Sequence, residues 1–108
     1  MGKMENLGLL LVSTLLGAIG QLLFKYAFNN PAMLLVWLVA GLVAYGISTL
    51  LYIMVLSRVN LSWAYGIGGL SYIFATILAY TVLMENIPPL RWAGVGVIFL
   101  GVLLIGWS

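Results

Sequence analysis

Three short polar breaks, Asn29-Asn30-Pro31, Ser57-Arg58-Val59-Asn60 and Glu85-Asn86-Ile87-Pro88-Pro89, cut this chain into four apolar segments. Each segment is close to the 20 or so residues that cross a hydrocarbon core of roughly 30 Å. The breaks place helices at about residues 5–28, 32–56, 61–84 and 89–107, in a single transmembrane domain covering residues 1–108. Pro31 and Pro89 suit the first turn of a helix, where the missing N–H has no intrahelical partner. With breaks this short, successive helices are antiparallel neighbours. The segments lack the alternating pattern of a membrane barrel, so the expected fold is all-α with four membrane-spanning helices.

Composition supports the same class. A hydrophobic share of 65%, a charged share of 6% and a mean hydropathy of +1.23 exceed what a soluble core of 108 residues can use. Cysteine and histidine are both absent, which removes disulfides, thiolate or imidazole metal sites and the usual proton-shuttling imidazole. Neither a metal nor a cofactor is expected. No cluster of nucleophile and base is present, so the chain does not read as an enzyme. The net charge of +2 rests on four scattered cations, too few for a nucleic-acid footprint. The start, MGKMEN, is followed by no small-x-small cleavage pattern before Gln21 and Lys25, so the first helix reads as retained. Gly2 is not a myristoylation site, because Asn6 stands where that motif has Ser or Thr.

The first segment carries a polar motif near its far end: Gly17, Gly20, Gln21 and Lys25. Gln21 and Lys25 are four residues apart and share one helix face, while Gly17 and Gly20 allow a backbone or bulky ligand to approach closely. Lys25 reads either as an anchor snorkelling to the headgroups or as a ligand-binding cation. The third segment is the most polar, with Tyr65, Gly66, Gly68, Gly69, Ser71, Tyr72, Thr76 and Tyr80. Its three glycines suit a kink or hinge. The G-x-G within it has no preceding strand and does not form a dinucleotide fingerprint. Tyr65, Ser71 and Tyr72 can line a wet path for a phosphate or sugar, or bond to other helices. In the fourth segment, Gly94 and Gly101 lie two turns apart on one face and form an expected dimer seam. Trp37, Trp63, Trp92 and Trp107 fall near helix ends, where aromatic belts form. Asn60-Leu61-Ser62 matches a glycosylation sequon, but Asn60 reads better as the cap of the third helix.

The run Met84-Glu85-Asn86-Ile87-Pro88-Pro89-Leu90-Arg91-Trp92-Ala93-Gly94, with Val95 to Val102 after it, resembles the last loop and final helix of the drug/metabolite transporter superfamily. Trp63-Ala64-Tyr65 at the start of the third helix extends the resemblance over nearly the whole chain. Short four-helix members include the small multidrug resistance exporters and the subunits of lipid-linked aminoarabinose flippases. The exporters carry a glutamate in the middle of helix one; this chain has Gly17 there, and its acids are Glu5 and Glu85, near helix ends. Gly20-Gln21-x-x-x-Lys25, Glu85 and Trp92-x-Gly94 resemble the flippase subunits instead. The resemblance implies a multi-pass protein of the cytoplasmic membrane, with a small multidrug resistance-like fold working as a dimer. It further implies that the protein flips a polyprenyl-phosphate-linked sugar or related lipid phosphate. Gln21, Lys25, Tyr65, Ser71, Tyr72, Glu85 and Arg91 are the expected substrate-binding residues. An exporter of a small polar or cationic solute, and a non-transporting subunit of a membrane complex, are the alternatives. The partner is a second copy or a paralogue.

Four antiparallel spans put Lys3 and Arg58 on one side and Lys25 and Arg91 on the other. This balance gives the positive-inside rule no strong instruction, which predicts insertion in both orientations and an antiparallel dimer with its two-fold axis in the membrane plane. Single cysteines introduced at Asn30 and at Asn60 test the expectation by labelling from each side. Dual insertion labels both positions from both sides; one accessible side for each position refutes it.

Overall fold

In lipid the backbone must satisfy its own polar groups, so each apolar segment becomes a helix. A computed structural model describes residues 3–108; Met1 and Gly2, and with them the rejected lipidation reading of Gly2, lie outside the described residues. The helices are α1 (Lys3–Asn29), α2 (Leu34–Leu56), α3 (Leu61–Ile67), α4 (Leu70–Thr81) and α5 (Pro89–Trp107), with a 3-10 turn at Pro31–Met33. Among the described residues there is no strand, and four stretches are long and apolar enough to cross a membrane, α3 and α4 together making the third. The protein is therefore an all-α, multi-pass membrane protein. At 1.5 Å per residue, α1 is about 40 Å long, enough to span the core with some tilt.

Chain ends of the helices are satisfied locally. The Asn30 amide Nδ2 donates to the Tyr26 carbonyl at 3.2 Å, tying off α1 before Pro31. The Ser57 hydroxyl donates to the Met54 carbonyl at the end of α2. Asn60 occupies the N-cap position of α3, but its side chain makes no capping hydrogen bond, contrary to expectation; only its carbonyl accepts, from the Ala64 N–H at 3.0 Å.

The third span departs from a single helix. At Gly68 and Gly69 the chain tightens into i−3 hydrogen bonds, Ser71 N–H to Gly68 and Tyr72 N–H to Gly69, at 3.0 and 3.1 Å. The reason is steric: a Cβ on Gly66 would lie 2.5 Å from Ile105 Cδ1, and one on Gly69 would lie 3.4 Å from Val102 Cγ2. The glycines let α5 press against this turn. The span also ends at Thr81, earlier than Met84. Met84 takes a left-handed conformation (φ 57°), and the chain folds back so that the Glu85 N–H donates to the Ala79 carbonyl at 3.0 Å.

α1 is the central element, packing most extensively on α2 and then on α4, while α5 packs on α3 and α4. α1 and α2 come into close backbone contact at Gly20 and Gly41. A Cβ on Gly20 would lie 3.1 Å from the Gly41 carbonyl oxygen, and one on Gly41 would lie 2.7 Å from the Phe24 ring. Leu10, Val55, Ala64 and Ile67 form the driest part of the core. The Cα framework measures 45 × 33 × 16 Å, a slab little more than one helix pair thick. Trp37, expected as a plain anchor, packs edge-on against Tyr26 with centroids 4.9 Å apart.

Gly20→Val forces the α1–α2 backbones apart at this contact. The expected loss is about 1–3 kcal/mol, as for overpacking a filled core. Thermal unfolding in detergent, with Gly8→Val as the control whose Cβ meets nothing within 4 Å, measures it.

Candidate functional site

Halfway along α1, Ser13 and Thr14 turn toward α2 and α4. The Ser13 hydroxyl donates to the Ser48 carbonyl at 2.8 Å and the Ser48 hydroxyl returns a bond to the Ser13 carbonyl at 2.6 Å. Ser71 on α4 donates to the Thr14 carbonyl at 3.0 Å. Gly17, one turn on, fits between these serines: a Cβ there would lie 3.1 Å from Ser48 Oγ and 3.4 Å from Ser71 Oγ. Three helices are thus joined by hydroxyls at mid-membrane depth, where an unmet polar group is costly.

A cavity of about 480 Å³ opens beside this junction. Its wall includes Ser13, Thr14, Ser48, Tyr52, Tyr65 and Ser71. The Tyr52 hydroxyl is buried with no hydrogen-bond partner within the protein, so it has capacity for a water or a ligand. Tyr65, by contrast, is 75% exposed. Gly68 and Gly69, from the tightened turn, also border the cavity.

A second group gathers at the end of the bundle where α1 and α4 finish. Gln21, Lys25 and Glu85 line a cavity of about 130 Å³ with alanines of α4. Glu85, Arg91, Tyr72 and Thr76 line an adjoining one of about 380 Å³, and the two share Ala75, Ala79 and Glu85. The reversal at Met84 is what carries Glu85 back over α4 and between the two cations. Among the described residues Glu85 is in ion-pair contact with neither Lys25 nor Arg91, and neither cation has a hydrogen-bond partner. Two free cations, one carboxylate and one amide can receive a phosphate, an ammonium or sugar hydroxyls.

Of the residues singled out from sequence, Gln21, Lys25, Glu85, Arg91 and Tyr72 fall in this end group. Tyr65 and Ser71 fall in the mid-membrane cavity. Gly17 and Gly20 are helix contacts, Gly66 and Gly69 receive α5, and Gly68 lies against its own helix at the Tyr65 carbonyl. Among the described residues a Cβ at Gly94 or Gly101 would meet nothing within 4 Å, so neither glycine is a close helix contact within this chain. Ser13, Thr14, Ser48, Thr49, Tyr45 and Tyr52 were not singled out. A lone serine in an apolar run has no periodic signature, and only the pairing across helices reveals it.

The sequence model of the EamA-like transporter family matches residues 3–107. A relative from Salmonella newport (strain SL254), named a probable 4-amino-4-deoxy-L-arabinose-phosphoundecaprenol flippase subunit ArnE, is 29% identical over 104 residues, spanning 91% of this chain and 94% of its own length. Relatives with the same name from Pseudomonas savastanoi pv. phaseolicola (strain 1448A / Race 6) and Salmonella heidelberg (strain SL476) are 29% and 30% identical, covering 91% and 90% of this chain and 94% and 93% of their own lengths. No solved structure matches the chain.

The Ser13–Ser48 clasp makes a measurable claim. Each hydroxyl bonds the other residue's backbone carbonyl, which alanine keeps, so Ser13→Ala and Ser48→Ala are each expected to destabilise the fold by about 0.5–1.5 kcal/mol, and nearly additively. Unfolding of both variants in mixed micelles measures the losses; no loss in either variant rules the clasp out.

Proposed function

We propose, from the premise that this chain belongs to the EamA-like transporter family, that it carries a polyprenyl-phosphate-linked sugar across the cytoplasmic membrane. It is a membrane transporter by family; the lipid-linked cargo is the further step. The observation that supports this step is the end group, where Gln21, Lys25, Glu85 and Arg91 line two adjoining cavities. The relatives' name, which includes an aminosugar joined through phosphate to a polyprenol, describes a headgroup with matching charges.

In this reading Lys25 and Arg91 hold the phosphate, the first as a point charge and the second through two parallel N–H bonds. Glu85 accepts hydrogen bonds from an ammonium or hydroxyl of the sugar, and Gln21 offers both a donor and an acceptor. Tyr72, on the wall of the Arg91 cavity, adds a hydroxyl toward the membrane interior. The headgroup then meets the hydroxyls of Tyr65, Ser71 and Tyr52, which replace water along the middle of its path. The prenyl tail stays in lipid throughout. Binding and orientation account for the whole process, with no covalent step.

A slab 16 Å thick does not wall off the mid-membrane cavity, so a second four-helix chain covers it. Gly94 and Gly101, with room for a close approach, border the exposed α5 face of Val97, Leu100 and Leu104, which such a partner would cover. A second copy and a paralogue both fit this role, and the word "subunit" in the relatives' name is in keeping with either.

Lys25→Ala is expected to weaken binding of a polyprenyl phosphosugar about ten- to a hundredfold, the equivalent of losing one hydrogen bond to a charged group at roughly 1.5–3 kcal/mol. Native mass spectrometry of the purified protein, offered a polyprenyl phosphate, a polyprenyl phosphosugar and a hydrophobic cation, provides the test. Unchanged lipid binding by the variant refutes the assignment of Lys25, and binding of the cation alone replaces this reading with that of a drug exporter.

A further inference from the structure

The end of the bundle opposite Lys25 holds a cavity of about 710 Å³, which the proposed site leaves unused. It lies where α1 and α3 begin and α2 and α5 finish. Asn6, Arg58, Asn60, Ser62 and Trp63 all border it. We infer that this cavity is a second headgroup station, which takes a lipid-linked glycosyl phosphate at the opposite membrane face. The inference rests on the lipid-phosphate reading above.

Three observations support it. Arg58 is the cation that lines the cavity among the described residues, its side chain 28% exposed, and Glu5, its counter-ion there, stands off at 3.9 Å. That distance leaves the guanidinium fork without a carboxylate in hydrogen-bonding contact, so it is open to a phosphate that takes two parallel bonds. Asn6 is only 5% exposed, yet its Oδ1 has no hydrogen-bond partner. A buried amide acceptor without a protein donor is matched by a donor from outside, and a sugar hydroxyl or amine supplies one. Trp63 presents an indole in the first turn of α3, at the depth where amphipathic rings meet lipid headgroups, and a sugar ring packs against such a face. Asn60, whose side chain is not spent on capping α3, adds an amide to the same wall.

The position argues for a lipid headgroup over a dissolved solute. The cavity sits at a membrane-span terminus, and across the last turn of α5 runs an apolar groove of about 480 Å³, lined by Leu7, Leu11, Phe99 and Leu103 among others. Each end of the protein then carries one Glu with at least one cation: Glu5 with Arg58 here, Glu85 with Lys25 and Arg91 there. A single chain thus offers phosphate-binding charge at both faces without needing to insert in both orientations.

The test is photolabelling of the full-length protein in proteoliposomes, using a polyprenyl phosphosugar with a diazirine beside the phosphate. Peptide mapping is expected to find label in two regions, residues 57–63 and residues 21–25. Arg58→Gln is expected to reduce label in residues 57–63 roughly tenfold while leaving residues 21–25 labelled. Arg58→Lys keeps the charge that guides insertion and restores part of the label. Asn6→Leu, a second variant close in volume, lowers the same label without touching the arginine. Label confined to residues 21–25, or label at residues 57–63 indifferent to both Arg58→Gln and Asn6→Leu, overturns this inference and leaves the proposed function standing. Label at neither end overturns both. A tail-free sugar phosphate that blocks residues 57–63 as well as the full lipid does at equal concentration assigns the cavity to a soluble solute and overturns the lipid assignment.

Discussion

Everything in this molecule depends on how α1 satisfies its polar atoms at the centre of the bilayer. Lipid tails are as apolar as leucine, so burial of side chains gives helices little reason to associate there. What joins them is close contact and hydrogen bonding. Ser13 and Ser48 exchange bonds with each other's backbone, Ser71 reaches the Thr14 carbonyl, and Gly17 and Gly20 let the helices come near enough for these contacts. Because both α2 and α4 are fixed to the same two turns of α1, the cavity between them is set at the same depth as the clasp. The structural junction and the polar wall of the mid-membrane cavity are one set of residues.

The same geometry bears on Gly17, where the resemblance to the small multidrug resistance exporters would set a carboxylate. A side chain at Gly17 would enter the space held by the Ser48 and Ser71 hydroxyls. The acids of the chain sit instead at its two ends, in α1's first turn and in the reversal after α4. Hydroxyls bind a phosphate or sugar without changing protonation state, whereas a central carboxylate binds either a proton or a cation. Among the described residues the mid-membrane cavity is lined by hydroxyls and no carboxylate.

Much of the fold is legible in the sequence for a simple reason: a span of about 20 apolar residues has no other stable form in a membrane. The glycines of the third segment foretell its break, since few residues accept α5 so close to their backbone. The end of α4 is less legible. Met84 is a good helix former, and nothing local announces that it adopts φ 57°. The end group is partly legible, because Gln21 and Lys25 share a face by spacing alone. Its completion by Glu85 depends on that unannounced reversal. Hydroxyl pairs such as Ser13 with Ser48, 35 residues apart, are invisible until the helices are packed.

The arrangement of charge bears on how a headgroup can move. Cations at the ends face partly exposed cavities, and the middle carries only neutral hydroxyls, so the charged groups are kept out of the region where they cost most. In the proposed reading, a phosphate leaving Lys25 and Arg91 exchanges charge-assisted bonds for neutral ones, which are weaker by about half, so the middle of the path is a region to be crossed and the cargo dwells at the ends. For such a path the direction of net movement follows the concentrations at the two faces unless another energy source acts. The tightened turn at Gly68 and Gly69 borders the middle cavity and separates Tyr65 on α3 from Ser71 on α4. The Ser13–Ser48 and Ser71–Thr14 bonds tie both α2 and α4 to α1, so in the proposed reading any opening at the glycine turn falls to α3 and α5, which pack beside it.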